Sequence, residues 1–260
     1  MKAMIFAAGL GTRLKPITDT IPKALVPVCG EPLLKRVIMK LAASGIDDFV
    51  INVHHFAEKI VSYLETEGSF GLKTAVSDES GRLLETGGGI LHARELLLDG
   101  EPEDGRFLVH NVDILSDLDI SWFLDSWRPG ALATLLVSPR KTQRYLLFDD
   151  DMRLVGWTNL STGEFRSPYP GLDPSACTML AFSGIHQISN GVFGVMESEG
   201  MGERFPIMDF YLRVCDRCPI YGIKPASLEM VDVGKLDTLA VAEDFIRRRF
   251  QRSCPACPEA

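Results

Sequence analysis

The chain has 260 residues and a mass of 28.7 kDa, with 46% hydrophobic residues, 24% charged residues and a net charge of −8. That size and apolar content suit one large α/β domain, or two small ones, with a sizeable core. The acidic balance argues against a nucleic-acid partner, although a few local cations in a cleft can still hold a small anion.

No apolar run reaches the ~18 residues that a membrane helix needs. Residues 1–8 read as one strand rather than a signal peptide, so a cytoplasmic protein with no membrane partner is expected. The six cysteines, Cys29, Cys177, Cys215, Cys218, Cys254 and Cys257, then read as free thiols rather than a disulfide framework. Cys215/Cys218 and Cys254/Cys257 have the spacing of a zinc site, but the long stretch between the pairs makes free thiols the preferred reading.

Apolar runs alternate with helical periodicity along the first half, which predicts a largely parallel sheet covered by helices. Residues 2–7 form the first expected strand. Pro32 opens a helix with Leu33, Leu34, Val37, Ile38 and Leu41 on one face, stopped at Gly45. Strands are expected over 49–53, 72–77 and 106–110, and helices over 57–67 and 86–98.

Beyond residue 130 come expected strands at 131–138, 145–148, 154–157, 178–186 and 220–224. A Gly/Pro/Ser-rich loop is expected over 161–173, and helices over 205–215 and 235–249. With no internal repeat or low-complexity linker, residues 1–250 read as one domain whose second half decorates the first, and 251–260 as a Cys/Pro tail.

The turn after the first strand carries the chemistry. Gly9-Leu10-Gly11-Thr12-Arg13 fits neither a P-loop nor a dinucleotide fingerprint, because Leu14 stands where a third glycine belongs and Pro16 and Pro22 forbid a regular helix. What remains is an extended loop with Arg13, Lys15 and Lys23. Gly9 and Gly11 allow close backbone approach to an anion, Arg13 can clamp phosphate oxygens, and Lys23 adds a point charge. A surface turn with solvated cations is the plain alternative.

The pattern G-L-G-T-R-L-(x)7-P-K-A-L, spanning residues 9–25, resembles the signature of the sugar-1-phosphate nucleotidyltransferases. The resemblance continues to about residue 246. It runs through 27–34, Leu84-Glu-Thr-Gly-Gly-Gly-Ile90, Asn111-Val-Asp113, Phe182-Ser-Gly-Ile185 and Val231-Asp-Val-Gly234. The 84–90 motif is similar to N-acetylmuramate-1-phosphate uridylyltransferases and their heptose-1-phosphate relatives.

The resemblance implies a single-domain, Rossmann-like α/β fold with a mostly parallel central sheet and a small β-rich sugar-binding part. It implies Mg2+ held by Asp113 and Asp232, with a nucleoside triphosphate and a sugar 1-phosphate as substrates. Arg13 and Lys23 are the expected catalytic cations. Ala7, Ala8, Gly9, Gly11, Thr12, Glu79, Gly87 and Gly88 are expected at the nucleotide, with Gly87–Gly89 offering free N–H groups at a helix start. Asn111, Glu85, Gly184 and Arg144 are expected at the acceptor.

Asp117 and Asp119 read as a helix N-cap and a loop residue, and His54-His55 as a strand end facing the loop rather than a metal pair. Two departures stand out. Val112 replaces a glycine common before the first metal aspartate, and Val155-Gly156-Trp157 replaces the Glu-Lys pair that many members use to hold the sugar phosphate. Arg140, Lys141 and Arg144 are the candidate replacements, Arg144 first.

Uridylyl transfer from UTP to a muramate-type 1-phosphate is the favoured expectation. The alternatives are guanylyl transfer to heptose 1-phosphate, cytidylyl transfer to another phosphate, and a non-catalytic nucleotide-sugar sensor. The chain ends too soon after the last helix for the C-terminal β-helix of some relatives to be expected.

Overall fold

The computed structural model describes residues 1–253, with side chains as far as Arg249, so Cys254 and Cys257 lie outside the described residues. The chain opens on β1 (Ala3–Phe6), followed by three single 3-10 turns at Thr12–Leu14, Ile17–Asp19 and Lys23–Leu25. Leu14, fully buried, pins the first of these turns to the core. A minimal hairpin, β2 (Pro27–Val28) and β3 (Glu31–Pro32), leads into α1 (Leu33–Ala42). This helix buries the expected stripe of Leu33, Leu34, Val37, Ile38 and Leu41, and the chain turns at Gly45 with φ +86°.

Then come β4 (Asp48–Val53), α2 (Ala57–Thr66), β5 (Lys73–Asp78), α3 (Glu85–His92), α4 (Arg94–Leu98) and β6 (Arg106–Asn111). Strands β5, β4, β1 and β6 are parallel neighbours in that order. Because they run parallel, their C-terminal ends, Phe6, Val53, Asp78 and Asn111, lie at one edge.

The second half is built differently. Its elements are β7 (Ile114–Ser116), α5 (Ile120–Asp125), β8 (Ala133–Ser138), β9 (Arg144–Phe148), β10 (Leu154–Asn159), β11 (Glu164–Arg166) and β12 (Thr178–Ser189). After them come α6 (Val192–Ser198), α7 (Ile207–Val214), β13 (Ile220–Ile223), β14 (Met230–Asp232) and α8 (Leu236–Ser253).

β12 is the long joint. It runs antiparallel to β6, β8 and β9, with a register shift between Phe182 and His186, and so carries the sheet from its parallel half into the β9–β10–β11 antiparallel extension. The chain is thus an α/β domain whose first half is parallel and whose second half is mainly antiparallel, with β13 added parallel to β8.

Strand alternation sorts the core onto two faces. Ala3 and Ile5 pack with α1, α2 and α8, while Met4 packs with α3, α4, α6 and α7. The single helix expected over 86–98 is two helices, broken at Ala93 so that Leu97 enters the second face's core. The expected roles of Asp117 and Asp119 are exchanged: Asp119 caps α5, accepting from the Trp122 N–H at 3.0 Å, whereas Asp117 accepts from Glu229 N at 2.8 Å. Cys29, Cys177, Cys215 and Cys218 are free thiols, and burial pushes the Cys215 thiol up to about 12. No helix among the described residues is long and apolar enough to cross a membrane.

Candidate active site

β1 delivers the opening loop to the edge where the parallel strands end. The N–H groups of Ala7 and Ala8 both donate to Asn52 Oδ1, at 2.7 and 3.3 Å. They are therefore spent on β4 rather than left for a nucleotide, and Ala8 meets the cleft through its side chain. Gly9 lines the cleft, and a Cβ there would project into open space.

Gly11 is needed for a different reason. It adopts φ +64°, and a Cβ would come within 2.9 Å of Thr18 Cγ2. Its carbonyl accepts from Leu14 N at 2.8 Å and Thr18 Oγ1 at 2.7 Å, which closes the turn that carries Thr12 and Arg13, both exposed.

Lys23 is buried, and its ammonium pairs with the Asp113 carboxylate. Asp113 sits between β6 and β7, and its carbonyl accepts from Val233 N at 2.8 Å. β7 pairs with β14 so that Ile114 stands opposite Asp232. This two-stranded ribbon carries the second aspartate back to the first across more than a hundred residues of chain.

Arg13 completes the group. A Cβ on Gly234 would lie 2.7 Å from Asp232 Oδ1 and 3.0 Å from Arg13 Nη2, so only glycine leaves room for both side chains. Arg13, Lys23, Asp113 and Asp232 thus converge. Partial burial, then the nearby Asp113 charge, raises the Asp232 carboxyl above its ordinary range, although its side chain reaches solvent. Lys23, Arg13 and Arg140 pull it the other way.

Two repelling carboxylates are the donor set that a hard divalent ion relieves. Among the described residues no group of three or more His, Cys, Asp or Glu side chains is placed to hold a metal ion, so at this site they offer the aspartate pair. That pattern fits magnesium with its remaining positions on phosphate oxygens and water, and fits poorly a protein-enclosed ion.

A cleft of about 210 Å³ opens beside this cluster, lined by Lys23, Asp113, Val112, Asn111, Thr86, Glu85, Leu83, Glu79 and Asn52 among others. Gly184, at φ +75°, stands against Asn111, where a Cβ would come within 2.8 Å of the amide nitrogen. Glu85 takes the left-handed conformation at φ +63°, rare for a side-chain-bearing residue. Its carboxylate accepts from Arg204 at 2.9 and 3.0 Å.

The expectation of free N–H groups at Gly87 and Gly88 is corrected here. Both donate to the Phe205 carbonyl, at 2.8 and 3.1 Å. A Cβ on Gly87 would strike the Phe205 ring and one on Gly88 the Glu203 carbonyl. These glycines let the 203–207 segment lie directly on α3. His54 Nδ1 lies 2.7 Å from the Glu79 carbonyl, which uses that nitrogen within the loop.

A second cavity of about 520 Å³ lies between the antiparallel extension and α7. Cross-strand pairing aligns Arg144 with Asn159 and Glu164, and Leu146 with Trp157 and Arg166. Arg144, Leu146, Trp157, Glu164 and Arg166 therefore share the face that α7 covers. Arg140 also lines it, donating to the Phe182 carbonyl at 3.1 Å, and is the one of these arginines that acts on Asp232. Arg166 pairs with Asp209 of α7 at 2.7 Å.

Of the three expected cations, Arg140 and Arg144 line this cavity, and Lys141 is exposed outside it. Sequence reasoning did not find Trp157, Arg166 or Asp209, whose convergence depends on pairing register. It also missed Asn52, although an asparagine inside the apolar run 49–53 was a visible anomaly.

Comparison with known proteins bears on this geometry. The family described as Nucleotidyl transferase matches residues 2–145. The chain belongs to that family. It is 30% identical over 234 residues to the N-acetylmuramate alpha-1-phosphate uridylyltransferase of Caulobacter vibrioides, covering 88% of this chain and 90% of that one. The enzyme of the same name from Neisseria meningitidis serogroup B is 42% identical over 121 residues, 46% of this chain and 50% of its relative.

Among solved structures, HddC from Yersinia pseudotuberculosis complexed with GMP-PN superposes with a TM-score of 0.70. It is 21% identical, over 94% of this chain and 99% of that one, a likeness of fold. The nucleotidyltransferase is thus one of the sugar-1-phosphate type.

Proposed function

We propose that this nucleotidyltransferase moves a uridylyl group from UTP to an N-acetylmuramate-type sugar 1-phosphate, with Mg2+ as cofactor, releasing pyrophosphate. The observation that carries the reading is the convergence of Arg13, Lys23, Asp113 and Asp232 at the edge of the nucleotide cleft. A sensor that had lost catalysis would have no need to keep both metal carboxylates and both phosphate cations together.

The acceptor's phosphate oxygen attacks the α-phosphorus in line, forming one P–O bond while the bond to the β-phosphate oxygen breaks. The electron pair leaves on pyrophosphate, and no covalent enzyme intermediate forms. Asp113 and Asp232 would hold the ion, which when bound neutralises triphosphate charge. Lys23, which neutralises Asp113 in the free protein, lies within reach of the same phosphates, and Arg13 faces the charge that develops on the leaving group. Asn111 and Glu85 line the path between nucleotide and acceptor.

The muramate preference is supported by the Caulobacter relative, which spans nearly the whole of both chains. It is also supported by the cavity that Arg140 and Arg144 line, where a guanidinium suits a lactyl carboxylate, Arg166 being paired with Asp209. Pyrophosphate release from UTP and GTP, each with muramate, heptose and glucose 1-phosphates, tests the reading. UTP with muramate should give the highest kcat/KM. A GTP and heptose preference would overturn the substrate assignment, and no release with any pair would overturn the activity.

A further inference from the structure

A clasp of reciprocal bonds holds the start of α3 to the start of α7. The Phe205 N–H donates to the Leu84 carbonyl at 3.3 Å, and the Phe205 carbonyl accepts from Gly87 and Gly88. The Ile207 N–H donates to Thr86 Oγ1 at 2.9 Å. Two ion pairs flank these bonds, Arg82 with Glu203 at 3.3 Å and Arg204 with Glu85 at 2.9 Å.

The two sides of the clasp face different cavities. Leu83, Glu85 and Thr86 line the nucleotide cleft, whereas Pro206, Met208 and Asp209 line the larger cavity that α7 covers. Asp209 pairs with Arg166, whose guanidinium lies 6.0 Å from the centroid of the Trp157 ring. A bonded path therefore runs from Glu85 in the cleft through Arg204 and Asp209 to the far wall of the second cavity.

Glu85 is where a ligand can act on that path. Its left-handed backbone, φ +63°, is unfavourable for a residue with a side chain, and such strain gathers at functional sites. Oε1 takes both Arg204 donors, Nε at 3.0 Å and Nη2 at 2.9 Å, and among the described residues nothing is bonded to Oε2. The two side chains are 33% and 52% exposed, so the pair adds little to stability on its own. A contact that the fold hardly needs, set between two ligand cavities, is one that a ligand can order.

We propose that Arg204 is a positioning residue that makes the two substrates bind cooperatively, by tying Glu85 in the nucleotide cleft to α7 over the acceptor cavity. The inference rests on the nucleotidyl-transfer reading. A nucleotide that donates to Oε2 fixes the carboxylate, the carboxylate fixes Arg204, and Arg204 fixes the chain leading into α7. An acceptor seated against α7 orders the same residues from the other side. The ordering cost falls on whichever substrate arrives first, so the second binds more tightly. By linkage the gain is the same in either order.

The test takes the triphosphate and sugar 1-phosphate of highest kcat/KM and replaces the triphosphate by its α,β-methylene analogue, so that no transfer occurs. Calorimetry with Mg2+ gives the Kd of each ligand alone and with the other saturating. The wild type should show a gain of ~5–10-fold in each direction. Arg204→Ala should reduce that gain below ~2-fold, while shifting either ligand's Kd alone by no more than ~3-fold and hardly moving the melting temperature. In turnover the loss should appear in KM rather than in kcat. Arg204→Lys, which keeps a point charge, should retain part of the gain. In Glu85→Ala the gain should already be absent, and adding Arg204→Ala should change it no further.

Independent binding of the two ligands to the wild type overturns the inference, and so does a full gain kept in Arg204→Ala. A lower melting temperature with both ligands equally weakened and the gain intact would make Arg204 merely structural, which also overturns it. Absence of turnover with every pair removes the nucleotidyl-transfer reading and this inference with it. Turnover with independent binding removes this inference alone.

Discussion

Asp113 and Asp232 repel each other, and that repulsion makes a prediction that separates function from stability. Burial and the Asp113 charge raise the Asp232 carboxyl. A raised carboxyl means that the folded state binds its proton more tightly than the unfolded state does, so the ionised form destabilises the fold once pH passes the folded value. Asp232→Asn should therefore raise the metal-free melting temperature at neutral pH while cutting turnover at least ~10²-fold. Mg2+ with nucleotide should raise the wild-type melting temperature and leave the variant nearly unmoved. EDTA-resistant wild-type activity would remove the metal from the scheme.

Arg13→Ala acts on the transition state alone, with an expected loss of roughly 10²–10³ in kcat and little change in melting temperature, as Arg13 is exposed. Normal kcat in this variant would return the loop to a solvated turn. These four residues were legible because each lies in a short motif with chemistry of its own. Trp157, Arg166 and Asp209 were not, since nothing in the local sequence says that Arg166 stands opposite Trp157 or that α7 covers both.

Elements show the same division between local and long-range information. α1, β4, α2, β5 and β6 follow from apolar periodicity, because each buries a face wide enough to leave a pattern. β7, β11 and β14 have three residues apiece, too few for alternation to register, and β11 falls in a stretch whose Gly, Pro and Ser content reads as loop. The N–H groups of Gly87 and Gly88 read as free for a related reason: a glycine run at a helix start suits a ligand and a closely packed backbone equally well.

The packing reading predicts that Gly88→Ala, which sets a methyl against the Glu203 carbonyl, destabilises by about 1–3 kcal/mol. A lower urea midpoint with unchanged UTP affinity is the expected pair of results, and lost affinity at unchanged stability would restore the ligand role.

α1 offers a second check. Burial lowers Lys40 to about 8, with Arg249 adding to the shift and Asp117 opposing it, while its ammonium holds the Ser116 carbonyl at 2.6 Å. Below pH 8 the lysine is charged in both states and its burial penalty is complete. Between 8 and 10.5 the unfolded state binds more protons, so this contribution to stability improves as pH rises. The difference in melting temperature between Lys40→Met and wild type should therefore shift in favour of wild type from pH 7 to 9.5. A pH-independent difference would mean that Lys40 titrates alike in both states.

At the scale of the whole molecule, β12 is the seam between the two halves of the sheet, and it carries a titratable group into the core. His186 is fully enclosed there, its Nδ1 2.9 Å from the Tyr211 hydroxyl of α7, and burial pushes it down to about 3. On the neighbouring β6, His110 is pushed down to about 4 by burial and by Lys40, against the opposing pull of the Asn111 carbonyl and Asp113.

Both histidines are neutral in the folded protein down to those values, while the unfolded chain protonates them from about 6.5. Below 6.5 the unfolded state therefore holds more protons, and stability falls with pH by up to ~1.4 kcal/mol per unit for each histidine. A domain of ordinary stability, ~5–15 kcal/mol, cannot sustain two such slopes far into acid.

Replacing His186 and its partner together, His186→Phe with Tyr211→Phe, removes one slope without leaving an orphaned hydroxyl in the core. Urea midpoints at pH 7.5 and 5.0 should drop more in wild type than in the double variant, by an amount corresponding to one buried histidine. An equal drop in both would mean that the seam between α7 and β12 opens to protons without unfolding, and that the two halves of the sheet do not come apart as one cooperative unit in acid.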